Sequence, residues 1–274
     1  MLLAKKIFFG ILKFALIGLL CIMLLFPLYY LLLHSLVSPK TITDNKATLT
    51  IQEWNWSNYA EAYKKDFWVA FGYTSLFALF LMTLRIVTYS MAVAGLLKMN
   101  NRFQKIFQNF FLVISLVPEF SIYLSLKTFL IRLDLYGTAF SFVSNSIFSF
   151  FTFTYVWDLA KSAHNEKYKV MLNDNLKWNQ KITYVYLPKL KLAYFLLIVF
   201  AFITAWNDYL WPTFVLPSTS NVKGFTNITI WFLNLGKESA EFENTAIQAA
   251  GAVISVLIPL TIYAIFSKKI NRFN

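Results

Sequence analysis

Charge is scarce in this chain, and so are the residues that most enzyme chemistry depends on. Only 14% of its 274 residues are Asp, Glu, Lys or Arg, against about a quarter in an ordinary soluble domain. A water-facing surface is hard to build on that supply. There is one cysteine, Cys21, within an apolar run, so a disulfide framework and a cysteine-based metal site are both excluded. Cys21 reads as a small core or lipid-facing residue. The two histidines, His34 and His164, lie far apart in the chain and cannot form the cluster that zinc chemistry uses. The eight glycines are scattered, which leaves no phosphate-cradling loop, and no GxSxG, HExxH or CxxC pattern occurs. No catalytic residue, no bound cofactor and no metal site is expected.

What the chain has is apolar length. Several runs reach the roughly 20 residues that a helix needs to cross a bilayer. The order reads as six spans, at about 11–33, 67–97, 106–126, 135–157, 192–211 and 246–266. The fold class is therefore an all-α integral membrane protein in one transmembrane domain, 1–274. The N-terminal run is too long for a signal peptide and ends in Pro27, Tyr29 and Tyr30, which suit a kinked, retained span with an interfacial aromatic belt. Between the first two spans, the stretch from Ser57 reads as a short N-capped helix at the interface. A polar loop from Pro217 to Asn244 carries the acids Glu238, Glu241 and Glu243.

The formal net charge of +12 does not point to nucleic acid, because the basic residues flank apolar spans rather than gather on one face. With six spans, both termini share a side. That side holds sixteen of the lysines and arginines and the other holds eight, with Arg85 inside the second span. The positive-inside rule then makes both termini cytoplasmic. It also makes Asp158–Lys191, with seven lysines against the acids Asp158, Glu166 and Asp174, the largest cytoplasmic feature. A loop of more than 30 residues without structure is uncommon and is usually functional. Its segment after Ala163 reads as one or two short helices without a clean apolar stripe. Exposed Met171 and Trp178 among lysines suit docking into a partner's groove; a helix lying on the anionic inner leaflet is the competing reading.

Three ionisable residues fall within the spans. Arg85 can pair with a neighbouring helix or serve a solute path, and Glu119, after Pro118, can mark a helix break near the outer surface. Asp208, beside Asn207 and between Trp206 and Trp211, is the hardest to treat as incidental, since a carboxylate in an apolar helix costs several kcal/mol unless paired or hydrated. A structural hydrogen-bonding role is weighed above direct solute contact.

These residues carry a resemblance. The spacing from Asp174 to Leu187-Pro188, followed by TAWNDYLWPTFVL, resembles the inner-membrane permease subunits of carbohydrate ABC importers of the maltose-transporter type. In that family a cytoplasmic loop carries an EAA…DG…LP pattern, and the next helix a W-N-D-x-x-W-P pattern. The latter is matched by Trp206, Asn207, Asp208, Trp211 and Pro212. Weaker similarity runs through FPLYYLLLHSL, WSNYAEAY and VPEFSIYLSLKTFLIRLDLYGT. The chain departs from the pattern at Lys169, Val170 and Met171, where the family has Glu-Ala-Ala, and at Asn175, where it has Gly; Glu166 aligns with an acid ahead of the motif. Asn tolerates the left-handed conformation better than most residues, so Asn175 is expected to keep the turn.

The resemblance implies a six-helix bundle of the type I ABC importer permease kind in a bacterial cytoplasmic membrane. Its partners would be a second permease, two ATPase subunits that hold ATP and magnesium, an extracytoplasmic solute-binding protein and membrane lipid, with no nucleic acid. It further implies that the loop residues Glu166, Met171, Asp174, Asn175, Leu176, Leu187 and Pro188 form a coupling element. The bundle polar positions are Arg85, Glu119, Trp206, Asn207 and Asp208. A stand-alone secondary transporter would call for internal repeats with broken helices, a membrane enzyme for paired acids or a His cluster at one face. A non-transporting scaffold is the reading that the altered Glu-Ala-Ala positions keep open.

Overall fold

A computed structural model describes residues 2–43, 49–215, 226–237 and 244–270, with side chains at 2–4, 43, 266 and 268–270 left aside. All regular elements among them are helical. Four helical stretches are long and apolar enough to cross a membrane singly: Lys5–Ser35, Phe67–Leu97, Trp178–Asn207 and Thr245–Ile265. Two bent pairs bring the number to six if each counts as one span.

Those bent pairs correct the sequence reading. The run at 106–126 is not one helix but two, α5 (Asn101–Ser115) and α6 (Glu119–Arg132), inclined at 95°. Pro118 is the cause: it has no N–H to donate and pushes the residue before it out of helical geometry. The run at 135–157 is likewise broken, with a 71° bend between Ala139–Ser146 and the following helix Phe150–Asn173. Its first piece is α7 (Ala139–Val143), capped by the Thr138 hydroxyl accepting from the Ser141 N–H and continued by a 3-10 turn at Ser144–Ser146. The supposed loop at 158–191 is mostly helix. Phe150–Asn173 (α8) runs straight through it, and Trp178–Lys181 (α9), a π turn at Ile182–Tyr186 and Leu187–Asn207 (α10) follow after a four-residue turn.

The chain divides into two compact units. The first comprises 1–67 and 231–265. Its α1 (Leu2–Ser35) contains Pro27 and has none of its apolar window buried within the chain. The short helix α3 (Ser57–Lys64) is where the sequence placed it, but without the expected cap: Trp56 precedes it in αR geometry and makes no side-chain cap bond. It is held instead by Asn58, whose buried amide donates to the carbonyls of Ser35 and Val37, both at 2.9 Å. Ser35 Oγ and Tyr59 Oη sit 2.6 Å apart. Trp231 Nε1 donates to the Lys65 carbonyl. His34 Nε2 lies 2.8 Å from Thr245 Oγ1 at the start of α13 (Thr245–Ile270). Gly236, at φ 75°, is required where it stands, because a Cβ there would collide with the Asn244 carbonyl oxygen. The three acids Glu238, Glu241 and Glu243 lie outside the described residues.

Glu53 clasps the segment after α1. Its carboxylate accepts from Thr41 Oγ1 at 2.6 Å and from the Ser38 N–H at 2.7 Å, and these bonds hold it below its ordinary pKa of 4.5, with Thr41 contributing most. A group lowered on folding contributes stability above its unfolded pKa and loses it as pH falls through the folded one. Local protection of amides 38–43 is therefore expected to persist at pH 7 and to fade below about pH 4.5, as hydrogen exchange would read. Glu53→Gln should remove that pH dependence.

The second unit comprises 68–230 and 266–274. One half of α4 (Phe67–Leu97) packs through Tyr89, Val93 and Leu96 against Phe153, Val156 and Trp157 of α8 and Leu190, Ala193 and Leu197 of α10. Nearer its start, Phe77 and Leu81 pack with Tyr123, Phe142, Ala201 and Trp211. Alanines at 160, 163, 193 and 201 are fully or almost fully buried. Small side chains are what let helices approach closely where lipid gives them no hydrophobic drive to associate.

Candidate functional site

Two features bring the expected site residues together. The first is the hairpin of α8 and α10. α8 ends with Asp174 as C-cap, followed by Asn175 at φ 44°, the left-handed conformation expected from the sequence. The Asn175 N–H donates to the Leu172 carbonyl at 3.2 Å and the Leu176 N–H to the Met171 carbonyl at 3.2 Å. That pair of bonds satisfies carbonyls a helix end otherwise leaves bare, and it brings the residue after the left-handed position back onto the last turn. Leu176 accordingly packs against the core cluster that contains Met171.

Here the sequence reading needs correcting. Met171 is 4% exposed and belongs to the core, so it cannot be the docking side chain. The exposed apolar side chains at this end include Val170, Leu172, Trp178, Ile182 and Tyr184. Asp174, Leu187 and Pro188 are exposed as well. Glu166 pairs with Lys189 at 2.7 Å and accepts from Ser162 Oγ at 2.9 Å, which ties α8 to α10. Both partners are about half exposed, so the bridge sets geometry more than stability.

Pro188 explains the wide turn ahead of α10. Within a helix it cannot donate to the carbonyl four residues back and its ring crowds that carbonyl. The π turn at Ile182–Tyr186 loosens the winding just before it, with the Leu187 N–H reaching back to the Ile182 carbonyl. The π turn is pinned to α8 by His164 Nδ1, 2.8 Å from Tyr186 Oη. Asn175 gives a direct test of the turn. Asn175→Gly is expected to preserve or slightly raise stability, and Asn175→Val to lower it by about 1–2 kcal/mol, the cost of left-handed geometry for a side chain with a branched Cβ. Thermal midpoints of the two variants would separate these outcomes.

The second feature surrounds the W-N-D-x-x-W-P segment. α10 ends at Asn207, Asp208 turns the chain into extended geometry, and α11 (Leu210–Val215) begins two residues later. Trp206 and Trp211 are buried on either side of this break while Asn207 is exposed. Trp211 Nε1 donates to the Ser141 carbonyl at 2.7 Å, and the Trp206 carbonyl accepts from Thr229 Oγ1 at 2.9 Å. The Asp208 carboxylate accepts from the Trp211 N–H and from the Asn145 side chain. The Asp208 carbonyl accepts from Asn227 Nδ2. Asp208 thus ties together the two sides of a helix break. It also borders a cavity of about 10 Å³, shared with Ser146 and Asn227, roughly the size of one water.

Arg85 converges on the same place. It is 2% exposed, and its Nε and one Nη donate to the Ser146 carbonyl at 3.0 and 2.6 Å. Tyr89 Oη accepts from the Ser149 N–H at 2.7 Å. Arg85, Asp208, Trp211 and Tyr89 all bond to the short segment Ser141–Ser149. Its broken helical winding frees the carbonyls and amides that they use. Asn145 Oδ1 and the other Arg85 Nη make no protein hydrogen bond. Glu119 stands exposed at the first position of α6, after Pro118. Asn145, Ser146, Tyr89, Tyr123 and Asn227 were not singled out from the sequence. The signal available for the first two was the polar run Ser144–Ser146 inside an apolar stretch. Among the described residues no group of acids, histidines and cysteine could hold a metal ion.

Comparison with known proteins adds the family. A family described as "Binding-protein-dependent transport system inner membrane component" matches residues 86–272. A probable ABC transporter permease of Mycoplasma pneumoniae is 23% identical over 92% of this chain and 82% of its own length. Its counterpart in Mycoplasma genitalium is 22% identical over 96% and 87%. Among solved structures, a chain of a bacterial ABC transporter involved in import of the acidic polysaccharide alginate superposes with a TM-score of 0.73. It is 20% identical, over 97% of both chains, which is a likeness of fold. The family match covers more than half of the sequence, broken spans and hairpin included, and the chain belongs to the binding-protein-dependent inner-membrane components of ABC transporters.

Proposed function

We propose that the chain is one half of a transmembrane heterodimer that imports a carbohydrate or related polar solute, driven by a separate ATPase pair. The observation that carries this reading is the hairpin end. A helix closed by a left-handed cap presents Leu172 and Trp178 beside lysines, at the one place where the family pattern puts ATPase coupling. ATP binding between the partner ATPases would draw such hairpins together. The polar staples at Ser141–Ser149 would carry that movement to the broken helices around Asp208. ATP and magnesium belong to the ATPase in this reading, and the chain performs no covalent chemistry. An extracytoplasmic protein delivers the solute to the opposite side, and both termini face the cytoplasm with the hairpin. The unburied apolar length of α1 supports membrane contact along most of that helix. The fold likeness to an alginate importer chain supports a saccharide as the solute class.

The test is uptake of labelled mono- and oligosaccharides into proteoliposomes that hold the chain with its co-purified partners. Internal ATP is expected to drive uptake on the hairpin side. Uptake driven by an ion gradient without ATP would replace the reading with a secondary transporter, and no uptake under either condition would favour a scaffold. Asp174→Ala and Pro188→Ala should each lower uptake severalfold with membrane insertion retained, which protease protection of the inserted chain would verify.

A further inference from the structure

The surface around the hairpin end carries charge of one sign. From 167 to 181 the sequence holds four lysines and one acid, Asp174. Lys169 stands one turn before Leu172 on the same side of α8, and Lys181 one turn after Trp178. Lys98, from the turn after α4, places its Nζ 5.5 Å from the centroid of the Trp178 ring. Each of the two apolar side chains therefore has a lysine beside it. Lys169 and Lys177 are exposed and Lys181 partly so. Among the described residues none of Lys98, Lys169, Lys177 and Lys181 makes an ion pair, and the neighbouring Glu166 is engaged by Lys189.

Their positions matter beyond their number. Lys169 lies near the C-terminal end of α8, where a helix dipole favours a cation, so α8 alone accounts for it. Lys177 and Lys181 occupy the opposite kind of end. Lys177 stands at the N-cap of α9, and the first turn contains no acid. Helical winding continues from Trp178 to Asn207, 30 residues in all, so both lysines sit at the positive end of a long stretch. An acid, amide or hydroxyl is preferred at an N-cap, and a cation there is disfavoured by the dipole. Among the described residues no acid offsets that placement. A negatively charged surface brought from outside the chain would.

We propose that the hairpin end fits a socket with an apolar floor and an acidic rim, an inference that rests on the ATPase-docking reading above. Leu172 and Trp178 fill the floor, and carboxylates of the ATPase subunit meet Lys169, Lys177 and Lys181 at the rim. Charge complementarity of this kind sets partner choice and docking rate. An anionic leaflet is the other surface that lysines suit, but a basic helix bound to one lies flat in the interface. Here α8 runs unbroken from Phe150, in the apolar stretch, to Asn173, and α10 packs alongside it. The end of such a pair points along the helix axes, away from the bilayer, and meets a partner end-on.

The test uses the full-length chain purified with its native partners in mild detergent. A water-soluble carbodiimide joins a lysine amine to a carboxylate in direct contact, and peptide mass spectrometry locates the isopeptides. Lys169, Lys177 or Lys181 is expected to be joined to an Asp or Glu of the ATP-hydrolysing subunit. Changing all three lysines to Arg should abolish these adducts and retain the ATPase, since a guanidinium keeps the charge but does not react. Changing all three to Glu should lower ATPase retention at least about tenfold at about 0.15 M salt. An unchanged thermal midpoint of that variant would show that the chain still folds. Raising salt from about 0.05 to about 0.5 M should loosen the parent complex severalfold and tighten the Glu variant. If the Leu172→Cys thiol cross-links to the ATPase while the lysines form no isopeptide and the Glu variant keeps its ATPase, the acidic rim is overturned and the docking reading stands. If neither thiol nor lysines reach an ATPase, the docking reading itself fails and takes this inference with it. Protection of the lysines from an amine reagent only in phosphatidylglycerol nanodiscs, with ATPase retention indifferent to charge reversal, would assign them to lipid and overturn the proposal.

Discussion

Leu172→Asp combined with Trp178→Asp is expected to reduce ATP-driven uptake by about a hundredfold or more while the chain remains folded and inserted. Both side chains are exposed, Leu172 at 63% and Trp178 at 44%, so within the chain the change costs little beyond the edge contact of Trp178 with Tyr186. In a docked complex the same residues would be apolar anchors, whose loss costs about 2–4 kcal/mol apiece at interface centres, and a buried carboxylate adds a desolvation penalty. Met171→Asp, one residue away, should behave in the opposite manner. It places a charge inside a core cluster that holds α8, the π turn and α10, and the chain should fail to accumulate in the membrane. A loss of uptake with normal insertion for the first variant, and a loss of the protein itself for the second, would separate docking from folding at adjacent positions. Equal behaviour of the two would mean that the hairpin end serves only the fold.

Trp211→Ala is expected to be the most destabilising change at the second feature, at about 3–5 kcal/mol. Trp211 is completely buried, packs against Tyr123 with ring centroids 5.1 Å apart, and donates to the Ser141 carbonyl. Truncation leaves a cavity of indole size and strands that carbonyl without its donor, which is costly where no water is near. Trp211→Phe keeps most of the volume and loses the bond alone, so it should cost about 1–2 kcal/mol. Thermal midpoints measured by loss of the monodisperse peak in detergent should fall in that order. A Trp211→Ala midpoint within 2 °C of the parent would show that the segment Ser141–Ser149 is held by other contacts.

Much of this architecture is legible from composition alone. Apolar runs of sufficient length, few charges and no strand pattern lead directly to an all-helical membrane chain, and the family pattern adds where the hairpin and the helix break lie. What hydropathy cannot convey is direction. A window across 106–126 sums the same side chains whether or not the backbone turns by 95° at Pro118. The burial of Met171 was hidden for a related reason. The inward positions of α8 are Thr152, Phe153, Val156, Trp157, Ala160, Ala163 and Met171, a stripe at helical spacing. Reading a span that ended at Trp157 and a loop that began after it cut the stripe in two, and its middle members are alanines rather than large apolar residues. The partner of Arg85 was out of reach altogether. A backbone carbonyl accepts the guanidinium, and any residue at position 146 supplies a carbonyl; only the 3-10 turn at Ser144–Ser146 leaves it free. The left-handed turn at Asn175 was readable because its cause is local, in the tolerance of a single residue type for that geometry.

The central claim is that the end of the α8–α10 hairpin seats in a separate ATPase, and one measurement addresses it directly. Cys21 is the chain's only cysteine, so a Cys21→Ser background allows a single reporter thiol at Leu172→Cys. Cross-linking of that thiol, in membranes containing the native partners, is predicted to give one adduct with an ATP-hydrolysing subunit and to change in yield on addition of ATP. Lack of any such adduct, with the thiol still reactive to a small maleimide and the complex intact, would contradict the claim.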